Sequence, residues 1–276
     1  MNKIETDTYD KNGYIFPLRI MSEEQALDYR RQLEQIEIQY QDDAEAQHAI
    51  RYYSNFVLPF CYEITLRKEI LEPVKAILGE DLLVWNLALW IKEPQTDDYV
   101  SWHQDLTYWG LDDTDEITAW LALSRATTES GCMRFIPGSH KQNIVEHKDT
   151  FSKQNLLSRG QEIAVEVDEF QAVDVKLKPG EMSLHHGRMF HASEPNKSND
   201  RRIGLAIRYI NPSMKQIGGE NGHAMLACGK NNYGHFELVS PPSAPLDRDA
   251  MRNYCAAKTL HERILYEGAA QKGRSK

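Results

Sequence analysis

The sequence has few cysteines. Four occur in 276 residues, Cys61, Cys132, Cys228 and Cys255, with no CxxC pair and no zinc-finger spacing. A disulfide framework is therefore excluded as the organising device, and buried free thiols are expected. Long apolar runs are missing too. The longest, Leu82 to Ile91, is interrupted by Asn86 and is far too short to span a bilayer. Met1-Asn2-Lys3-Ile4-Glu5 shows no basic stretch leading into an apolar one, so a cytoplasmic location is expected. Positive charge is in deficit, with 32 Lys and Arg against 41 Asp and Glu, a net −9, and no clustered basic face. Nucleic acid and membranes are thus not expected partners; a small molecule is, bound by a monomer or homodimer. The HExxH pattern of many zinc proteases is absent, as are repeats and low-complexity tracts.

What remains is an ordinary globular composition, 41% hydrophobic and 9% aromatic, long enough for a full-sized core. The first 80 residues read as helical. Ser22-Glu23-Glu24-Gln25 has the form of a capping box ahead of Ala26, Leu27, Leu33, Ile36 and Tyr40 at near-helical spacing. A second helix is expected from about Leu66 to Leu78, ending at Gly79, with Pro73 its weak point. From residue 81 the period shortens. Leu83–Ile91, Ile117–Leu123, Cys132–Ile136, Ile163–Val167, Ala172–Leu177, Glu181–Leu184 and Ile203–Ile210 read as strands separated by turn signals. The expected architecture is mainly β with flanking helices, a jelly roll in one unit over 1–276. It divides into a helical segment 1–80, a core 81–210, a Gly-rich lid-like loop 211–246 and a closing helix 247–267. Met251, Tyr254, Cys255 and Ile264 form the expected stripe of that helix, and the polar tail from Gln271 is expected to fray.

Chemistry is suggested by two clusters. In Trp102-His103-Gln104-Asp105, positions i and i+2 of a strand share a face, so an imidazole and a carboxylate can converge on one ion. About ninety residues on come Gly180-Glu181-Met182-Ser183-Leu184-His185-His186, then Phe190-His191-Ala192-Ser193 and Arg201-Arg202. Two histidines and one carboxylate make a facial triad, which leaves iron positions open for an oxo-acid and dioxygen. An arginine in such a barrel matches a carboxylate bidentately, and alternation lets only one of Arg201 and Arg202 face inward. A zinc hydrolase or a cupin-type isomerase on the same fold has no evident use for that arginine, and a non-catalytic binding protein that has kept a metal site is the other alternative.

These pieces resemble the phytanoyl-CoA dioxygenase family over most of the chain. The likeness lies in Gly13-Tyr14, Trp102-His103-Gln104-Asp105, Gly131-Cys132-Met133-Arg134-Phe135-Ile136-Pro137-Gly138-Ser139-His140, Pro179-Gly180-Glu181, His191-Ala192-Ser193 and Arg202. The resemblance implies a double-stranded β-helix core and the use of iron(II), 2-oxoglutarate and dioxygen, with ascorbate as an accessory reductant. It implies that His103, Asp105 and His191 hold the metal. Arg202, eleven residues past His191, would take the C5 carboxylate of 2-oxoglutarate, with Ser193 assisting and Gln104 a further contact. His186 is then read as a neighbour of the metal shell, and His185 and His140 as packing residues. Halogenating relatives carry a small residue where this chain has Asp105, so hydroxylation is implied.

For the substrate, Tyr108 and Trp109 are read as pocket walls, Trp85 and Trp90 as wall or core, and Arg134 and Arg188 as cations for an anionic group. The length and Tyr233-Gly234-His235-Phe236-Glu237 resemble the bacterial branch acting on small polar metabolites. Within it the likeness is to hydroxylases of 2-aminoethylphosphonate, which add a hydroxyl next to phosphorus. A betaine, an amino acid, an acyl group or a natural product is the alternative substrate. Residues 211–246 would close over it.

Overall fold

In the computed structural model, residues 3–217 and 220–266 are described. Helices α1 (Lys3–Asn12), α2 (Glu23–Gln39), α3 (Ala44–Tyr52), α4 (Ser54–Val57), α5 (Pro59–Thr65) and α6 (Lys68–Leu78) precede the core, and α7 (Arg248–Leu265) follows it. Between α1 and α2 runs β1 (Tyr14–Arg19). The core strands are β2 (Leu82–Lys92), β3 (Val100–His103), β4 (Glu116–Ala122), β5 (Met133–Phe135), β6 (His147–Asp149) and β7 (Gln161–Ile163). Then come β8 (Val173–Val175), β9 (Glu181–His185), β10 (His191–Ser193), β11 (Arg202–Ile210), β12 (Gly222–Cys228) and β13 (Phe236–Leu238). A seven-stranded sheet in the order β1-β9-β4-β11-β2-β12-β13 faces a four-stranded sheet β3-β10-β5-β8; β6 and β7 form a separate pair. This is the jelly roll with flanking helices that the strand pattern implies.

Alternation along the large sheet divides its two faces cleanly. Leu87, Leu89 and Ile91 of β2, Ile117, Ala119 and Leu121 of β4, and Ile203, Leu205 and Ile207 of β11 all join one core with the helices. There they meet Ala26 and Leu33 of α2, Ile50 of α3, Ile64 of α5, and Ile70 and Val74 of α6. The opposite face carries Asn86, Thr118, His185, Arg202 and Arg208 and looks onto the small sheet. A bulge shifts this phase in β2. Arg208 pairs with Asn86 but Tyr209 pairs with Val84, so Trp85 is the extra residue and joins Leu83 and Trp109 in another core.

The capping box is present, with Ser22 Oγ accepting from Gln25 N and Gln25 Oε1 accepting from Ser22 N. α6 begins at Lys68 and runs through Pro73, which is buried, to Leu78. Several expectations are corrected. The first 80 residues are not all helical, because β1 adds an edge strand to the large sheet. Its pairing with β9 skips Phe16 and Pro17, where proline has no N–H to offer, and an edge tolerates that. Gly13 makes the turn into β1 at φ +82°, and a Cβ there would collide with Met189 and His140. The strand expected at Ile163–Val167 lies earlier, at β7, and Val165 is exposed.

Residues 211–246 hold two strands rather than a loop. β12 pairs with β2 and β13 runs parallel to β12, because Ala224, Met225 and Phe236 are buried apolar positions between the glycines. The same segment braces the core from behind. Gln216 accepts from Trp85 Nε1 and donates to the Trp109 carbonyl. The buried stripe of α7 is Ala250, Tyr254, Ala257 and Leu260 instead of one through Cys255, which is exposed. All four cysteines are free, and only Cys61 and Cys132 are buried. Gly218, Gly219 and the tail from Gln271 lie outside the described residues. No helix among the described residues is long and apolar enough to cross a membrane.

Gly204 of β11 lies against the Trp120 ring, and a Cβ built there would sit 1.9 Å from Trp120 Cζ2. Gly204→Ala should therefore lower stability by about 1–3 kcal/mol, as overpacking does. The measurement is a fall in the urea midpoint at unchanged m-value; an unchanged midpoint would show that the tryptophan moves aside freely.

Candidate metal centre

His103 ends β3 and His191 begins β10, and the two strands pair with His191 directly opposite His103. Their rings are 4.0 Å apart between centroids. Each Nδ1 contacts the carbonyl two residues back in its own chain: Ser101 O for His103 at 2.9 Å, and Met189 O for His191 at 3.0 Å. Since a carbonyl only accepts, both Nδ1 atoms carry the proton and both Nε2 lone pairs are free for a metal. Asp105 is not on the strand but starts a short 3-10 turn, Asp105–Thr107, after an extended Gln104. Its Oδ1 lies 3.2 Å from His103 Nε2 and 3.8 Å from His191 Nε2. The three ligand atoms all fall within 4.8 Å of one another, and all three residues are buried. Two imidazoles and one carboxylate on one side of an open pocket fit a facially bound iron(II).

Electrostatics suit that use. Burial, helped by His103, pushes the His191 pKa down to about 4, so the ring is a neutral ligand at ordinary pH. Burial opposes ionisation of Asp105, but the adjoining His103 and His191 imidazoles and the Arg208 guanidinium outweigh it. They hold the carboxyl well below the usual carboxylate range.

A narrow pocket leads from the three residues to Arg202, past Ser193, Trp120 and Met133. Arg202 is 1% exposed, its guanidinium lies 5.4 Å over the Trp120 ring, and its Nε has no hydrogen-bond partner. Burial brings its pKa down to about 10, which still leaves it charged. Arg201 points the other way, to Glu37 at 2.8 Å and Glu93 at 2.9 Å, as strand alternation requires. The Ser193 hydroxyl accepts from Lys92 Nζ at 2.7 Å and also lines the pocket. Burial and the nearby Arg202 bring the Lys92 pKa down to about 6.

Beyond the triad opens a cavity of about 700 Å³, shared by His103 and Asp105 and walled by Trp85, Tyr108 and Trp109. α3 and α7 close its far side through His48, Tyr52, Lys258 and Tyr266, whereas no described residue of 211–246 lines it.

Other expected site residues are elsewhere. Gln104 faces away from the metal side because it alternates with His103 and Asp105. Its amide is spent on backbone, donating to Arg188 O and Asn143 O and accepting from Val145 N. Arg134 lies between inward Met133 and Phe135, so it points outward, pairs with Glu169 at 2.7 Å and covers Trp102. Arg188 sits in the turn between β9 and β10, where its charge is felt by His186 and Glu116, and it does not line the cavity. The two histidines of β9 exchange the roles expected of them. His185 pairs with Thr118 on the inner face, 5.3 Å from His191, while His186 turns toward Glu116 at 3.5 Å. Missed altogether was Arg208, which lines both the narrow pocket and the large cavity. Its signal was available, since an even spacing from Arg202 on one strand puts both on the same face.

Fold and site together define a mononuclear, non-haem metal centre in a jelly roll. The chain matches the phytanoyl-CoA dioxygenase family over residues 9–204. It belongs to that family of iron(II)- and 2-oxoglutarate-dependent dioxygenases. It is similar to a probable alpha-ketoglutarate-dependent hypophosphite dioxygenase of Stutzerimonas stutzeri, 28% identical over 62% of this chain and 57% of the relative. It is also similar to a phytanoyl-CoA dioxygenase domain-containing protein 1 homolog of Caenorhabditis elegans, 29% identical over 56% of each. The chain thus spans a little over half the length of these curated relatives. Among solved structures, the apo non-heme monooxygenase ThoJ superposes with a TM-score of 0.85 at 30% identity, covering 95% of this chain and 97% of that one. A structure of CytC3 with Fe(II) and alpha-ketoglutarate shares the fold, with a TM-score of 0.65 at 24% identity over 90% of this chain and 96% of that one.

Substitution separates the side chains that converge here from the one that does not. His191→Ala should abolish stoichiometric Ni(II) binding in calorimetry. Gln104→Ala should keep the metal while losing about 1–3 kcal/mol of stability for its orphaned backbone partners. Loss of metal in Gln104→Ala would restore it to the site.

Proposed function

We propose that this protein is an iron(II)- and 2-oxoglutarate-dependent hydroxylase of an unactivated carbon in a small molecule bearing an anionic group. Arg202 carries the reading: a buried guanidinium with no carboxylate at ion-pair distance among the described residues, at the end of a pocket that begins at three convergent metal ligands. Buried charges are paired in functional proteins, and the missing anion matches the distal carboxylate of 2-oxoglutarate. In this reading His103, Asp105 and His191 hold iron(II), and Arg202 and Ser193 hold the cosubstrate. With 2-oxoglutarate and dioxygen, the bound iron supplies the oxidising power to turn C–H into C–OH, releasing succinate and carbon dioxide.

The protein's own part is placement. The Nδ1 hydrogen bonds orient the two imidazoles. Arg202 anchors the oxo-acid from the far side of the pocket, and the Trp and Tyr walls keep water from the reacting carbon. Asp105 completes the ligand set, which favours hydroxylation over halogenation. The relative named for hypophosphite suggests 2-aminoethylphosphonate or a related alkylphosphonate, hydroxylated next to phosphorus, as one candidate for that molecule. It is supported by an unpaired cation beside the triad, Arg208.

Anaerobic addition of iron(II) and 2-oxoglutarate should produce a weak visible charge-transfer band, and substrate with oxygen should release succinate. Iron binding with neither signal would defeat the assignment. Arg202→Met should raise the KM for 2-oxoglutarate by roughly 100-fold, the scale of a lost buried charge pair, while Arg201→Met leaves it unchanged. Equal effects of the two substitutions would remove Arg202 from the role given to it.

A further inference from the structure

Building on the oxygenase reading alone, we propose that the cavity favours a ring-bearing organic acid, its anionic group paired with Arg208, over the smaller alkylphosphonate that the relative's name suggests. The first argument is size. The cavity of about 700 Å³ beside the triad is in the range that buries drug-sized ligands. It would hold some twenty waters at about 30 Å³ each, and a molecule as small as 2-aminoethylphosphonate fills only a corner of it. The second is the wall. Trp85 and Trp109 lie 5.3 Å apart between centroids, and Tyr108, Tyr52 and Tyr266 complete an aromatic lining that suits a planar ring.

The third argument is charge. Arg208 is 7% exposed and sits 4.9 Å over the Trp109 ring. One of its NH groups donates to the neutral Asn86 Oδ1 at 2.6 Å, and its Nε is buried without a partner. No carboxylate among the described residues lies within ion-pair distance of it, and Asp105 is directed to the metal position. Asp105 and Glu116 act on its charge without pairing with it, so an anion entering the cavity would still find an unfilled donor set.

Position then decides which anion. Arg202 and Arg208 stand at opposite ends of β11, about 20 Å apart along an extended strand. Between them Gly204 is covered by the Trp120 ring, and Ala206 borders the narrow pocket. Arg202 lines the narrow pocket alone, whereas Arg208 also borders the large cavity. Two buried cations flanking one metal position thus serve two separate anions, the oxo-acid at Arg202 and the substrate at Arg208.

The test uses the full chain, anaerobic, loaded with Ni(II) and saturating 2-oxoglutarate. The probes are indole-3-acetate, its neutral amide indole-3-acetamide, and 2-aminoethylphosphonate. Calorimetry should show the ring acid binding about tenfold or more tightly than either other probe, the scale of a hydrogen bond to a charged group. Arg208→Met should erase the difference between acid and amide while leaving the affinity for 2-oxoglutarate in place. Equal binding of acid and amide, absence of ring-acid binding, or 2-aminoethylphosphonate binding as tightly as the ring acid would overturn the proposal. So would Arg208→Met losing 2-oxoglutarate instead of the probe. If that variant does not fold, Arg208→Lys and the wild-type acid–amide comparison decide. These measurements need no turnover, so their failure is distinct from absence of the charge-transfer band or of succinate, which would sink the oxygenase reading itself.

Discussion

The pairing of β3 with β10 is the constraint on which the site depends. It sets His191 opposite His103 and brings two imidazoles to 4.0 Å across a ladder. The main chain then orients each ring through a carbonyl two residues earlier. A slip of one residue would turn one imidazole to the far side of the sheet, because side chains alternate. Asp105 completes the set only because the strand stops at His103 and a 3-10 turn brings the carboxylate back.

The large sheet provides the second half of the design. Its outer face is apolar and shares a core with residues from all of α1 to α7, so the strands are held regardless of what the inner face carries. That support permits an expensive inner face. Arg202 and Arg208 are buried without carboxylate partners, and His185 is buried with its Nδ1 unsatisfied. Such groups destabilise an empty protein and are satisfied by ligands. The wall of the large cavity is assembled differently, from the β2 bulge at Trp85, the turn after Asp105 and the far-off helix α7.

Much of this was legible from residue order because the signals were local. The jelly roll followed from short strands and turns, the capping box from Ser22 and Gln25, and the inward Arg202 from alternation with Arg201. Gln104, Arg134 and Arg188 were misread for one shared reason. Proximity in sequence to a site residue says little about direction: Gln104 is next to two ligands yet faces the other way, and Arg134 is turned outward by the inward Phe135 beside it. The β9 histidines could not be sorted until the register Thr118 to His185 was known.

By itself the sequence determined the chemistry of the centre: the ligand types, the spacing that lets His103 and Asp105 converge, and the family to which the chain belongs. These reside in neighbouring residues, although Asp105 comes back to His103 through a 3-10 turn rather than by strand alternation. Only the tertiary structure decided which cations face the reaction. It turned Arg134 and Arg188 away from the cavity, placed Arg208 on its wall, and lined it with α7 but with no described residue of 211–246. Those outcomes depend on packing between elements up to two hundred residues apart, where β-sheet register and a single bulge set direction, and no local pattern encodes either.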